Sequence, residues 1–423
     1  MSATKTVFVT GGTGFVGSFL IAHLLRQGCR VVALVRSPDP LGRLLAVLRE
    51  VSESAIGGSH LTGRLRVVEG DVRLPGFGLT PAVQGELACQ VEELWHCATS
   101  FKFQERDREE VLSHNVQGAR HLLDFACRCN AGKTAPVFYV STICAAPVRG
   151  GISREELPPV DAPFRNLYEW SKQEAERLVN QFRQAHQLPA MILRPSIIIG
   201  DSRTGKAVRF TAYYGVFRAL YLLARNLEVN LGSAFDHNLR LRILAQPDLR
   251  LNLAPIDFVV DALWRVSRAV RQERYIYHIA NDTTVPLTEM IETASADLGV
   301  TGIEIVGEQS FRERPMTGFE RLFKQRAQFQ APYLLASPRY DTSNFRRLVS
   351  PAVLPCPAVD ERLLHQVNTY YRRVLDQQFQ MPPTAPAFRL PLTAPTLLNP
   401  ASASDPVLLT SYTGARGGVA MNL

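Results

Sequence analysis

Tyr168 and Lys172 stand four residues apart in the run YEWSK, so on a helix both side chains share one face. A phenol with a reference pKa of about 10 exchanges protons poorly at neutral pH, and a neighbouring ammonium stabilises its phenolate and brings it toward the working range. The pair begins a predicted helix after a strand at 137–140, and that strand ends in Ser141 and Thr142, hydroxyls placed to bind a carbonyl oxygen. The chemistry in prospect is proton transfer at a substrate carbonyl.

A second constellation lies near the N-terminus. In FVTGGTGFVG a short apolar run ends in threonine, and Gly11, Gly12, Gly14 and Gly17 follow directly ahead of a helical apolar stripe (Phe19, Leu20, Ile21, Leu24, Leu25). A glycine-lined turn lets backbone N–H groups approach a pyrophosphate, and the positive end of the next helix favours its charge. This predicts a dinucleotide site. The next strand, 30–35, ends at Arg36, with Arg43 further on, where a site for NAD usually offers an acid and one for NADP offers arginine. The competing Asp39 lies between two prolines, past the usual point, so the expected cofactor is NADPH.

Strands are predicted at 65–68, 93–98, 137–140 and from 191, with a long amphipathic helix at 112–129. A polar, glycine-containing segment near Gly57 and Gly58 separates the second and third strands. Alternating strands and helices predict an α/β fold with a Rossmann-type, doubly wound parallel sheet over residues 1–205. Ligands of such sheets bind at the carboxyl ends of the strands. Residues 206–380 read as a smaller, mainly helical substrate lobe, with helices at 213–226, 257–270 and 363–375 and a strand-like 275–279 that could return to the main sheet. From 381 to 423 seven prolines among Ala, Thr, Ser and Leu predict a poorly ordered tail.

Composition narrows the partners. A formal charge of +8 suits an anionic ligand, but the basic residues are scattered, with no run interleaved with aromatics, so no nucleic-acid partner is expected. Seven cysteines without CxxC spacing predict free thiols and no metal site. No apolar stretch reaches the length of a transmembrane segment. The first strand begins too early for a signal peptide, so the cytoplasm is the expected compartment. His96 is expected at a strand end beside the cofactor and His114 on a helix, neither as an acid or base. Cys97 and Cys144 are expected to be buried thiols rather than acyl acceptors.

Together TGGTGFVG, GDV at 70–72, NVQG at 115–118, YVST at 139–142, YEWSK at 168–172 and RPS at 194–196 resemble the extended short-chain dehydrogenase/reductases. The resemblance implies that Thr142, Tyr168 and Lys172 form the active triad, with Ser141 an adjacent alternative hydroxyl and Lys172 also bonding the nicotinamide ribose. It implies that Asp71 reads the adenine amino group, that Val72 flanks the ring, and that Asn115 matches the family's helix asparagine, acting as structural support. The cofactor-contacting set so expected is Gly11, Thr13, Gly14, Phe15, Val16, Gly17, Arg36, Arg43, Asp71, Val72, Ala98, Thr99, Asn115, Tyr168, Lys172, Pro195 and Ser196.

LVR at 34–36, GDVRLPGFGL at 70–79, WHCAT at 95–99 and RPSIIIGDSRTG at 194–205 are similar, more narrowly, to the thioester reductase and fatty acyl-CoA reductase branch, the male-sterility type, as are NLAPIDFVVDAL at 252–263 and YHIAND at 277–282. This resemblance spans about residues 4 to 375. It implies NADPH-dependent reduction of an acyl thioester, on coenzyme A or an acyl carrier protein, to an aldehyde, with a second transfer to the alcohol left open. It also implies a homodimer. With no adenylation or carrier segment ahead of the first strand, a free-standing reductase is expected. The stretch 210–223 either lines an acyl tunnel or packs as an ordinary core helix. Two other readings stay open: a dehydrogenase or epimerase of a secondary alcohol such as a sterol or nucleotide sugar, and a non-catalytic cofactor-binding sensor or scaffold.

Overall fold

Seven parallel strands form the main sheet: β1 (Thr6–Thr10), β2 (Arg30–Val35), β3 (Leu65–Glu69), β4 (Glu93–His96), β5 (Val137–Val140), β6 (Ala190–Pro195) and β7 (Ile276–Ile279). Their spatial order is β7-β6-β5-β4-β1-β2-β3. A computed structural model describes residues 5–52, 63–132, 134–149, 151–269 and 274–380. Gly57, Gly58 and the 381–423 segment lie outside the described residues.

Parallel strands covered on both faces read as unbroken apolar runs because successive side chains enter opposite cores. In β1, Val7 and Val9 pack under α1 (Phe15–Arg26), α2 (Pro40–Val51) and α7 (Ile256–Arg268). Phe8, between them, packs on the other face with Phe77 and Phe125, at ring distances of 5.6 and 5.2 Å. That second layer comprises α3 (Pro81–Gln90), α4 (Gly118–Cys129) and α5 (Leu167–His186).

A third core lies in the lobe, beneath α6 (Tyr213–Leu231), α8 (Leu287–Leu298), α9 (Gly318–Arg326) and α10 (Glu361–Gln380). The lobe also holds a parallel strand pair, Asn238–Leu244 with Thr301–Val306, which the periodicity did not predict. Lobe and sheet are interleaved along the chain. Leu253–Pro255 pairs with Ile197–Ile199, α7 covers the sheet, and β7 joins it as the seventh strand beside β6.

GDSRTG, at the sheet-to-lobe crossing, is a backbone device. The Asp201 carboxylate accepts from the N–H groups of Arg203 and Thr204, each at 3.0 Å, and Asp257 accepts from Ser202. Gly205 has φ +69°, and a Cβ there would stand 2.6 Å from the Gln366 carbonyl oxygen on α10. Only glycine allows that approach.

Candidate active site

The carboxyl ends of β1, β2, β4, β5 and β6 open into one cavity of about 500 Å³, which continues into the lobe. At its nucleotide end the chain leaves β1 through Gly11, with φ +72°, and enters α1 at Phe15. A Cβ on Gly11 would stand 2.5 Å from the backbone after β4, and one on Gly17 would stand 2.2 Å from the Gly11 carbonyl oxygen. The glycines thus permit the turn and its packing on α1. No side chain caps α1 and no acid lies in its first turn, so its N–H groups and positive end face the cavity at Gly14, Phe15 and Val16.

Of the predicted residues, Gly11, Thr13, Gly14, Phe15, Val16, Arg36, Arg43, Val72, Ala98, Thr99, Thr142, Tyr168, Lys172, Pro195 and Ser196 line this cavity. Gly17, Asp71 and Asn115 do not line it. The Asn115 side chain, 1% exposed, is fully engaged. Its oxygen accepts from Ser100 N–H (2.7 Å) and the Thr99 hydroxyl (3.1 Å), and its nitrogen donates to the Ser100 carbonyl (3.1 Å) and Ser171 Oγ (2.9 Å). It therefore ties the loop after β4 to α5. Asp71 accepts from Arg73 Nε and Nη2 at 2.9 and 2.6 Å. Burial opposes its ionisation, but the Arg73 bonds and the Arg73 and Arg36 charges outweigh it and hold the carboxyl below its usual range. Asp39, the competing acid, caps α2 by accepting from Gly42 N–H at 3.0 Å.

His96 ends β4, as expected, but its side chain does not line the cavity. It is 1% exposed, its Nδ1 shares a 2.8 Å hydrogen bond with the Thr10 hydroxyl, and burial drives its pKa down to about 3. Because adjacent strand residues face opposite sides, the side chain at the end of β4 enters the core rather than the cavity.

Asn166 caps α5, accepting from Glu169 N–H at 3.0 Å, and puts Tyr168 in the first turn with Lys172 one turn further. The Tyr168 ring is stacked on Phe101 with 4.9 Å between centroids and meets Phe103 edge-on at 5.8 Å. Burial and the neighbouring Cys144 push its phenol far up, against a hydrogen bond from Thr142. The expected lowering of the phenol by Lys172 is thus not found: burial outweighs it and favours the protonated form. Lys172 Nζ donates to the Val140 carbonyl at 2.9 Å. Burial lowers its pKa to about 8, against the pull of Glu176. Cys97 and Cys144 are not the buried thiols expected but stand half-buried on the cavity wall, where desolvation pushes them up, to about 12 and about 11, and disfavours the thiolate.

Ser141 and Thr142 have different partners. The Ser141 hydroxyl donates to Glu176, whose carboxylate also receives Arg194 Nε at 2.9 Å and Nη2 at 2.6 Å. Both members of that ion pair have fully buried side chains. Thr142 is the hydroxyl beside Tyr168.

Of the stretch 210–223, Thr211, Ala212, Tyr213 and Val216 reach the cavity, whereas Tyr214, Phe217, Leu220 and Leu223 are core, as an ordinary packed helix requires. The rest of the apolar wall, from Phe101 and Phe103 after β4 and from Leu251, Leu287, Met290, Phe329 and Tyr333 of the lobe, is marked by no sequence pattern. These residues come from separate segments and carry no shared spacing. Among the described residues no His, Cys, Asp and Glu cluster could hold a metal ion, and no helix is long and apolar enough to cross a membrane.

Sheet order, glycine turn and Tyr-x-x-x-Lys helix define an extended short-chain dehydrogenase/reductase with a nicotinamide-dinucleotide-binding domain. Residues 9–263 match the family described as "Male sterility protein", and the chain belongs to that family. It is similar to the terminal R domain from the myxalamid PKS-NRPS biosynthetic pathway, at TM-score 0.70 and 24% identity over 90% of this chain and 93% of that one. It is 23% identical over 391 residues to one of the linear gramicidin synthase polypeptides of Brevibacillus parabrevis, covering 88% of this chain and 7% of the synthase. Fatty acyl-CoA reductase wat of Drosophila melanogaster is 24% identical over 313 residues, covering 66% of this chain and 57% of the reductase. The chain thus spans less than two thirds of the length of these curated relatives.

The cavity fits a dinucleotide on its own geometry. Added Cβ atoms would block the glycine turn, and the buried Ser196 hydroxyl on the wall has no protein partner.

Proposed function

We propose that this protein reduces an acyl thioester, carried on coenzyme A or an acyl carrier protein, to an aldehyde with NADPH. The observation carrying this reading is the continuity of one cavity, from the glycine turn past Thr142, Tyr168 and Lys172 into a lobe wall of apolar and aromatic side chains. The family and the reductase relatives support the substrate class. Arg36 and Arg43 at the end of β2, with Asp39 committed to capping α2, support NADPH over NADH.

Gly11, Gly14, Thr99, Lys172, Pro195 and Ser196 would hold the nicotinamide dinucleotide, which would supply the hydride that the thioester carbonyl carbon needs. Thr142 and Tyr168 hydrogen-bond the carbonyl oxygen, and their donors stabilise the negative charge that develops there. Tyr168, protonated because it is buried, gives its proton to that oxygen. Loss of the thiol from the resulting tetrahedral adduct leaves the aldehyde. Lys172, its ammonium held by the Val140 carbonyl on the cavity wall, would orient the nicotinamide ribose. The apolar wall excludes water and receives the acyl group.

The test is NADPH consumption with a panel of acyl-CoA and acyl-carrier thioesters, with Tyr168→Phe as control. Turnover that yields aldehyde or alcohol and is lost in the variant supports the reading. NADPH binding without consumption on any thioester overturns it and turns attention to secondary alcohols.

A further inference from the structure

Arg36 is not free at the cavity wall. Its Nη1 lies 3.2 Å from His114 Nε2, and its own carbonyl receives Arg43 Nη1 at 2.8 Å. The imidazole is fixed from behind, because His114 Nδ1 lies 2.9 Å from the Glu110 carbonyl oxygen. A carbonyl only accepts and a guanidinium only donates, so Nδ1 carries the proton and Nε2 accepts from Arg36. Arg36, Arg43 and His114 all line the same cavity.

The presentation of His114 comes from a local irregularity. Between the short helix Arg108–Val111 and α4 the chain makes one wide π turn, Leu112–Gln117. Such turns redirect side chains within an otherwise continuous helix. Here Asn115 points inward to Ser100 and Ser171, while its neighbour His114 reaches Arg36. The neighbouring acids are hydrogen-bonded to other groups, although Asp71 feels the Arg36 charge. Asp71 is bound by Arg73, and Glu110 accepts from the Ser100 hydroxyl at 2.9 Å. No carboxylate is hydrogen-bonded to Arg36 or Arg43 among the described residues, so their charge remains available to an anion.

We propose that His114 is a positioning residue that holds the Arg36 guanidinium in place, so that Arg36 and Arg43 form a preorganised subsite for a phosphate monoester, the 2′-phosphate of the cofactor. This rests on the NADPH reading and adds to it a residue outside the β2 end. A long, exposed arginine loses rotamer freedom when it binds an anion, and an imidazole that already fixes its edge removes part of that cost. The remaining guanidinium donors stay free for the fork-like contacts that a phosphate takes.

Isothermal titration of the full chain with 2′,5′-ADP and with 5′-AMP tests this without turnover. The wild-type protein should prefer 2′,5′-ADP. His114→Leu should reduce that preference about fivefold, the scale of one ordered side chain. His114→Gln, which retains an acceptor for Arg36, should restore most of it, and 5′-AMP affinity should be unchanged in both variants. If the wild type discriminates and His114→Leu leaves the ratio intact, or weakens both ligands equally, the positioning role is wrong while the NADPH reading stands. If the wild type binds both ligands alike, the NADPH reading itself fails and takes this proposal with it.

Discussion

At the nucleotide end of the cavity, Gly11, Thr13, Gly14, Phe15 and Val16 come from one turn of chain, whereas the lobe end is assembled from residues scattered between Phe101 and Leu334. The first end is specified by backbone shape. Its glycines are required because a Cβ at Gly11 or Gly17 would collide with main-chain atoms. The second is specified by tertiary packing, where apolar side chains of similar volume can replace one another at modest cost. On the proposed reading, a site joining the two can keep its coenzyme binding at one end and vary its acyl specificity at the other.

The sharpest break should come where the ends meet. Tyr168→Phe removes the proton donor and should lower kcat about 10³-fold or more, while coenzyme affinity measured by fluorescence titration stays near that of the wild type. Next is the buried pair behind the triad. Glu176→Gln leaves Arg194 uncompensated and should cost about 3 kcal/mol of stability in denaturant titrations. At the nucleotide end, Gly17→Ala forces a Cβ to 2.2 Å from the Gly11 oxygen. It should cost about 1–3 kcal/mol and weaken coenzyme binding, with little change in acyl selectivity once coenzyme is saturating.

A smaller effect concerns pH. Lys172, with its pKa lowered to about 8, is an ammonium below that pH and loses its charge above it. Activity should therefore fall on an alkaline limb near pH 8. Glu176 holds that value up, so Glu176→Gln should move the limb to lower pH. Smallest of all, Met290→Ala on the lobe wall should change KM for long acyl thioesters by a few-fold and leave the coenzyme constant untouched. An equal change in both would contradict the division of the cavity into two independently specified ends.

The same division explains how much was legible in the sequence. The glycine turn, the Tyr168–Lys172 spacing and the alternation of strands and helices are local patterns, and each maps directly onto the sheet and the cavity. His96 ends its strand as the sequence predicts, but strand alternation turns its side chain away from the cavity that Cys97 and Ala98 line. The lobe wall was illegible because Leu251, Met290 and Phe329 belong to patterns indistinguishable from ordinary core. The 210–223 stretch, read as either a tunnel wall or an ordinary core helix, is largely packed in the lobe core. Helical periodicity predicts His114 on a helix but carries no trace of the π turn that brings it to the cavity wall.

The most direct measurement is isotope transfer. NADPH carrying deuterium at both C4 positions would be incubated with an acyl-CoA, and the aldehyde trapped and analysed by mass spectrometry. One deuterium at the former thioester carbon, absent with Tyr168→Phe, is the predicted result. NADPH consumed with no deuterium in the acyl product would contradict a cavity that brings the dinucleotide and the thioester together.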